Sequence, residues 1–174
     1  MKKLATSLCL IFLSACASLS EYDAQNKTLL IGQIVHTGNG YPSPGTLNGV
    51  HTSKIDVSLL NLETKQTTKV TSNNYGFFSS TKLPEGKYQV SRLYCTVHNS
   101  NSNVASEWAL PKIYLNIQND KVNNIGKIFW NSTTGNKSNY SYNDNYAEPI
   151  SYLQDNYQKS GWLLKEILNT KMSE

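Results

Sequence analysis

A mainly β chain, a seven-stranded antiparallel β-sandwich with a short C-terminal helical tail, is what this sequence predicts. Three observations carry the prediction. Apolar residues recur at every second position in short runs, the runs are bounded by Gly, Pro, Asn and Asp, and no helical stretch separates one run from the next. Without helical crossovers a parallel sheet is not expected.

The first strand is Leu29-Leu30-Ile31-Gly32-Gln33-Ile34-Val35, followed by the Gly/Pro-rich segment Thr37–Gly45, where prolines and glycines disfavour regular structure. Ile55, Val57 and Leu59 alternate with Asp56 and Ser58, which gives a second strand with one wet face. Thr67–Ser72 is a third, β-branched and edge-like. Asn73-Asn74-Tyr75-Gly76 turns the chain into Phe77-Phe78, the start of the fourth. After the turn Leu83-Pro84-Glu85-Gly86 comes a long fifth strand, Lys87–Val97, whose apolar parity shifts from Tyr88 and Val90 to Leu93, Cys95 and Val97. A parity shift inside one strand predicts a bulge near Ser91-Arg92. Ile113, Leu115 and Ile117 form the sixth strand, Asn119-Asp120-Lys121 turns it, and Ile125–Trp130 makes the seventh.

The sandwich accordingly spans 29–131, and the Asn/Ser/Tyr-rich stretch 132–147 is expected to be a surface loop. Glu148-Pro149 opens a tail over 148–174, with Ile150, Leu153 and Tyr157 at helical spacing, a break at Gly161, and a second helical stripe in Trp162-Leu163-Leu164 and Ile167-Leu168. Such a tail either covers an apolar patch of the sandwich or serves as an amphipathic segment for a partner or a membrane surface.

Four segments occur in a telling order: Gly32-Gln33-Ile34-Val35, Val57-Ser58-Leu59, Tyr75-Gly76-Phe77-Phe78 and Leu83-Pro84-Glu85-Gly86-Lys87-Tyr88-Gln89-Val90. Together they resemble the prealbumin-like modules typified by the carboxypeptidase regulatory domain. The likeness covers roughly 29–95 and extends more loosely to Trp130. A long Gly/Pro-rich insertion before the second strand and Asn73-Asn74 in place of an Asp-containing turn depart from it. Physical reasons for the motif are at hand: Gly76 permits the positive φ of a hairpin turn, and Pro84 with Gly86 lets Tyr88 lay its ring over the core with its hydroxyl at the edge. Modules of this kind serve as spacers, binders and folding aids, so the resemblance implies a fold and not an activity.

The beginning of the chain carries a second resemblance. Lys2 and Lys3 precede the apolar run Leu4–Leu13, which is too short to span a bilayer, and the run leads into Leu13-Ser14-Ala15-Cys16. The quartet resembles the lipobox of bacterial lipoproteins. This implies a signal peptide over 1–15, a diacylglyceryl thioether and an N-acyl chain (of the palmitate type) on Cys16, and a tether over 16–28. The alternative is an ordinary secretory signal that happens to contain a cysteine. Ala17 in place of an aspartate points to the outer membrane of a Gram-negative envelope.

The precursor has 174 residues, with 16 Lys and Arg against 12 Asp and Glu. Loss of Lys2 and Lys3 leaves 14 against 12, a net +2, with no basic cluster interleaved with aromatics, so no nucleic-acid partner is expected. Cys9 would leave with the signal and Cys16 would carry lipid, so the core must stand without an internal disulfide. Cys95, within Leu93–Val97, reads as a small core residue, because His98 three positions on in the same strand cannot form a catalytic pair with it.

His36, His51 and His98 lack metal-ligand spacing, and there is neither a Gly-x-Ser-x-Gly elbow nor a phosphate-cradling loop. The His51/Asp56 pair has no activated nucleophile beside it, and among twelve acidic residues a carboxylate pair arises by chance. A non-catalytic protein is expected, with no cofactor or metal. Two roles fit. One is a lipid-anchored accessory module of the envelope that binds another envelope protein through a sheet edge or its tail. The other is a surface adhesin or glycan binder, with Trp130, Tyr140, Tyr142 and Tyr146 as an aromatic platform.

Overall fold

The computed structural model describes residues 19–38, 54–99, 102–133 and 137–170, of which 36–38, 95–99, 102–112, 131–133 and 137–140 are described by their backbone alone. In chain order the elements are β1 (Thr28–Gly38), β2 (Lys54–Asn61), β3 (Thr67–Thr71), β4 (Phe77–Ser80), β5 (Gly86–Asn99), β6 (Ser102–Ile117), β7 (Lys121–Thr133), β8 (Lys137–Asn143), α1 (Ala147–Asn156) and β9 (Glu166–Asn169), with a 3₁₀ turn at Gly161–Leu164. They form a mainly β fold of two sheets and one helix. One sheet runs β4-β1-β7-β8, with β9 also on β7, and the other runs β3-β2-β5-β6.

Alternation builds the space between the sheets. Ile55, Val57 and Leu59 of β2, Tyr88, Val90 and Leu93 of β5 and Ile113, Leu115 and Ile117 of β6 meet Leu30, Ile34, Phe78, Ile125, Ile128 and Trp130 of the first sheet in one buried cluster. Both ladders of β5 change register at Ser91: against β2 it is the extra residue, Ser58↔Arg92 giving way to Leu59↔Val90, whereas against β6 the extra residues lie on β6, between Arg92↔Ala109 and Val90↔Ile113. The bulge expected near Ser91-Arg92 is present, and the Ser91 hydroxyl donates to Ser58 O at 3.2 Å. Tyr88 also lies as its motif predicts: its ring is 1% exposed and its hydroxyl donates to Pro84 O at 2.8 Å.

The expectation of seven antiparallel strands is corrected on two counts. The described residues hold nine strands, and β1 pairs with β7 in parallel, as does β9. The parallel pair needs no helical crossover because the chain passes through the entire second sheet between β1 and β7. A third correction concerns the stretch 132–147. Strand β7 continues to Thr133 and β8 folds back on it, with Trp130 opposite Tyr140 and Ile128 opposite Tyr142. The Tyr/Asn/Ser alternation that reads as a polar loop is the sequence of an edge strand with little to bury.

The tail differs too. Helix α1 forms as expected; Glu148 in its first turn complements the helix dipole, and Pro149 and Leu153 are buried. The second helical stripe is instead the 3₁₀ turn and β9, which takes Lys121–Asn124 of β7 as its partner. A free stretch of strand edge there outbids helix propensity. Lys127, only 9% exposed, is held by Glu148 Oε2 at 2.6 Å and so ties α1 to β7.

Beneath this tail lies a second core. Leu29, Ile31 and Val122 on the outer face of the first sheet pack with Leu153 and Trp162, joined at the margin by Leu19, Tyr22, Ile150, Tyr157 and Leu163. Strand β1 is therefore buried on both faces, which explains its unbroken apolar run. The expected tether 16–28 is corrected over its described part, because residues from Leu19 onward lie against the domain. Trp162 Nε1 donates to Ser20 O at 2.8 Å, Gly161 N to Glu21 Oε2 at 3.0 Å, and Tyr22 Oη to Asp120 Oδ1 at 2.5 Å.

Two buried asparagines explain where β7 departs from regular pairing. Asn123 donates to Gln118 O at 2.9 Å and Leu29 O at 3.3 Å and accepts from Gln118 N at 2.9 Å. Asn124 accepts from Gly126 N at 3.0 Å and donates to Tyr146 O at 2.9 Å. Gly126, at φ +68°, lets β7 bulge between the pairs Ile31↔Asn124 and Gln33↔Lys127. Asparagines in sequence read as turn formers; here they satisfy backbone groups that burial would otherwise leave unpaired.

Candidate functional site

The edge strands β3 and β4 lie on the same open side of the sandwich, and a groove of about 620 Å³ runs between them and the end of α1. Asn73 builds its central turn. Its side-chain oxygen accepts from Tyr75 N at 2.8 Å and Phe77 N at 3.0 Å, while its backbone exchanges bonds with Phe77 O at 2.7 Å and Gly76 N at 3.0 Å. Held this way, the turn presents Tyr75 to solvent at 61% exposure.

Helix α1 supplies the other wall. Tyr152 stacks on Phe77 with ring centroids 4.3 Å apart and planes 6° from parallel, and its hydroxyl accepts from Asn73 Nδ2 at 2.8 Å. Tyr157 meets Tyr152 edge-on at 6.3 Å. Burial raises the pKa of Tyr157 above its usual 10.0, and the neighbouring Tyr152 adds to the rise while a hydrogen bond with Ser79 opposes it. Tyr88 is raised chiefly by burial, and Tyr146 by burial and then by Asp144.

Because unfolded tyrosines ionise first, this contribution to stability is complete below pH 10.0 and is lost as pH rises through the folded-state values. The urea midpoint is expected to fall between about pH 9 and about pH 11, and to fall less in Tyr157→Phe. An unchanged midpoint over that interval would contradict the buried placement of these hydroxyls.

Lys54, Lys69 and Lys82 line the groove, and none of its described lining residues is acidic. Lys69 bonds Asp56 at 3.0 Å on the outer face of the second sheet, where Thr71 Oγ1 also donates to Asp56 at 2.5 Å. The backbone of β3 matters as much. Ser72 N bonds Ile55 O at 2.8 Å, so by strand alternation the amides of Lys69 and Thr71 point away from β2 along the open edge. The site therefore combines a strand edge that is unpaired among the described residues, a positive rim and an aromatic wall.

The residues singled out from sequence do not assemble into one site. Trp130 is corrected: it is 0% exposed in the core between the sheets and cannot be part of a surface platform. Its position in β7 is inward-facing, as Ile128 is. Tyr142 is 37% exposed on β8, and Tyr140 is placed by its backbone opposite Trp130. Tyr146 is half-buried, with its hydroxyl donating to Asp144 at 3.1 Å and its ring 3.3 Å from the position a Cβ would take on Gly126. Cys16 and His51 lie outside the described residues, while Cys95, His36 and His98 are placed by backbone alone, Cys95 opposite Ile55.

Among the described residues no cluster of three or more His, Cys, Asp or Glu is arranged to hold a metal, and no helix is long and apolar enough to cross a membrane. The groove itself leaves no mark in the sequence, because Tyr75 and Phe77 read as turn and strand and Tyr152 lies beside the apolar stripe of α1. Comparison with family models, with curated proteins and with solved structures gave no match.

Proposed function

We propose that this protein is a non-catalytic accessory module of a bacterial cell envelope, anchored by lipid at Cys16 to the outer membrane, that takes up an extended segment of another envelope protein along the β3/β4 groove. The lipobox-like Leu13-Ser14-Ala15-Cys16 supports the anchor. The observation that carries the binding role is the open β3 edge beside the groove, where an added strand would satisfy the outward amides of Lys69 and Thr71. Lys54 and Lys82 at the rim favour a segment bearing carboxylates. A prealbumin-like module suits such a role, and the Gly76 turn and the Tyr88 hydroxyl bond to Pro84 support that finer assignment.

A photo-crosslinking residue at Tyr75 or Lys82, in intact cells, is expected to give a discrete adduct with an envelope protein. The same residue at Asn116, on the exposed face of β6, should give none. Lys54→Glu combined with Lys82→Glu should lower the adduct yield roughly tenfold, the size of two rim charges acting together. Adducts formed equally at Asn116, or insensitive to charge reversal, would dismiss the groove as the binding site.

A further inference from the structure

We infer that the 3₁₀ turn Gly161–Leu164 and the beginning of β9 form a membrane-facing surface, with Leu164 seated among the headgroups and upper acyl chains of the bilayer. The inference rests on the proposed lipid anchor at Cys16 and adds an orientation to it. Leu164 is 90% exposed although Trp162, two residues before it, is fully buried. Ile167 nearby in sequence is 37% exposed. What should cover them follows from the packing of Leu19 and Tyr22 against the cluster that holds Trp162.

Residues 19–22 are fastened to this same turn. Ser20 O receives the Trp162 indole N–H at 2.8 Å, Glu21 Oε2 receives Gly161 N at 3.0 Å, and the Tyr22 ring meets Trp162 edge-on at 5.2 Å. Only Ala17 and Ser18 separate Leu19 from Cys16. Three peptide steps reach at most about 11 Å, so the acyl chains on Cys16 have to enter the bilayer within that distance of Leu19. The domain cannot stand away from the membrane while this contact holds, and the surface around Ser20 and Trp162 is the one held nearest to it.

The side chains there suit an interface. Leu164 offers an aliphatic group at the tip of a turn, and Lys165 Nζ lies 3.4 Å over the Tyr22 ring. A cation with an apolar stem beside an aromatic ring matches the boundary between headgroups and hydrocarbon. Two hydrophobic ties, the lipid and Leu164, would fix an orientation that the lipid alone leaves free.

The test uses the full, lipidated chain in vesicles of phosphatidylethanolamine and phosphatidylglycerol. A nitroxide is placed at Leu164→Cys or, as control, at Asn116→Cys, each in a Cys95→Ser background. Mass spectrometry of the N-terminal peptide reports the lipid on Cys16 independently. The Leu164 probe is expected to gain collisions with membrane-dissolved oxygen and to lose access to an aqueous nickel chelate, while the Asn116 probe stays aqueous. A lipidated protein whose Leu164 probe remains aqueous overturns the inference and leaves the anchor standing. A Leu164 probe shielded from the chelate but also from oxygen signals a protein occupant, a second copy included, and overturns it as well. Absence of the lipid mass removes the anchor and the inference together. Hydrogen exchange on the chain with Cys95 intact provides a check free of engineered thiols: amides of residues 161–168 should slow in vesicles relative to the unlipidated chain of residues 17–174, and equal rates count against membrane contact.

Discussion

Alanine in place of Gly76 is expected to destabilise the protein by about 3 kcal/mol or more. Gly76 sits at φ +81°, a conformation that costs a residue with a Cβ about 1–2 kcal/mol. The added carbon would also stand 2.0 Å from Ile34 O, a backbone atom that cannot swing aside. Relief requires β4 to move off β1, which breaks the Ile34 N to Gly76 O bond of 2.9 Å and disturbs the Asn73 turn. For a domain of this size the melting temperature should fall by roughly 6–12 °C. Calorimetry on the Gly76→Ala variant checks it, and a fall below about 2 °C would mean that the turn is not packed against β1 as described. The same displacement carries Tyr75 out of the groove, so crosslinking from that position should weaken in parallel.

Trp162→Ala is expected to cost about 3–5 kcal/mol, the range for truncating a large buried aromatic. Trp162 is fully buried between Leu29, Ile31, Val122 and Leu153, and its indole N–H holds Ser20. The variant should therefore show a second effect that a generic core mutation would not: release of residues 19–27 to protease under conditions where the β-sheets remain folded. Trp162→Phe keeps most of the packing and loses the bond to Ser20, so it should cost less and still loosen the N-terminal segment. Urea unfolding with limited proteolysis measures both. If Trp162→Ala leaves the segment as protected as in the parent, the indole is not its fastening.

Much of the fold was legible because its signals are local. Period-two alternation in Ile55–Leu59 and Ile113–Ile117 finds inward faces directly, the parity shift in Lys87–Val97 exposes the bulge at Ser91, and glycine at a tight turn identifies Gly76. Parallel pairing of β1 with β7 leaves no local mark, since it depends on which strands meet after the chain has crossed the second sheet. Glu166–Asn169 has a pattern short enough to suit helix or strand, and the vacant edge of β7 decides. Trp130 shows the converse difficulty. A tryptophan followed by Asn, Ser and Thr looks like the start of a polar aromatic surface, yet its place one step beyond Ile128 on the inner face puts it in the core. The groove was illegible for a similar reason, because its walls come from β3, β4 and α1, brought together by tertiary packing.

The edge of β7 opposite β1 is divided between two late strands, β9 along Lys121–Asn124 and β8 along Lys127–Thr133, while Trp162 closes over Ser20 from 142 positions away. The order of assembly follows. A chain that emerges from its amino end can pair β2 with β3, β1 with β4 and β5 with β6 as soon as those strands appear, but the other edge of β1 waits for β7 and the outer core waits for nearly the last residues. Closure of such distant ends carries a large loop entropy, so folding should be slow for the molecule's size and finish in a single late step. Until then residues 19–22 remain unattached, and any enzyme that must reach the start of the chain meets it before the finished domain draws it in.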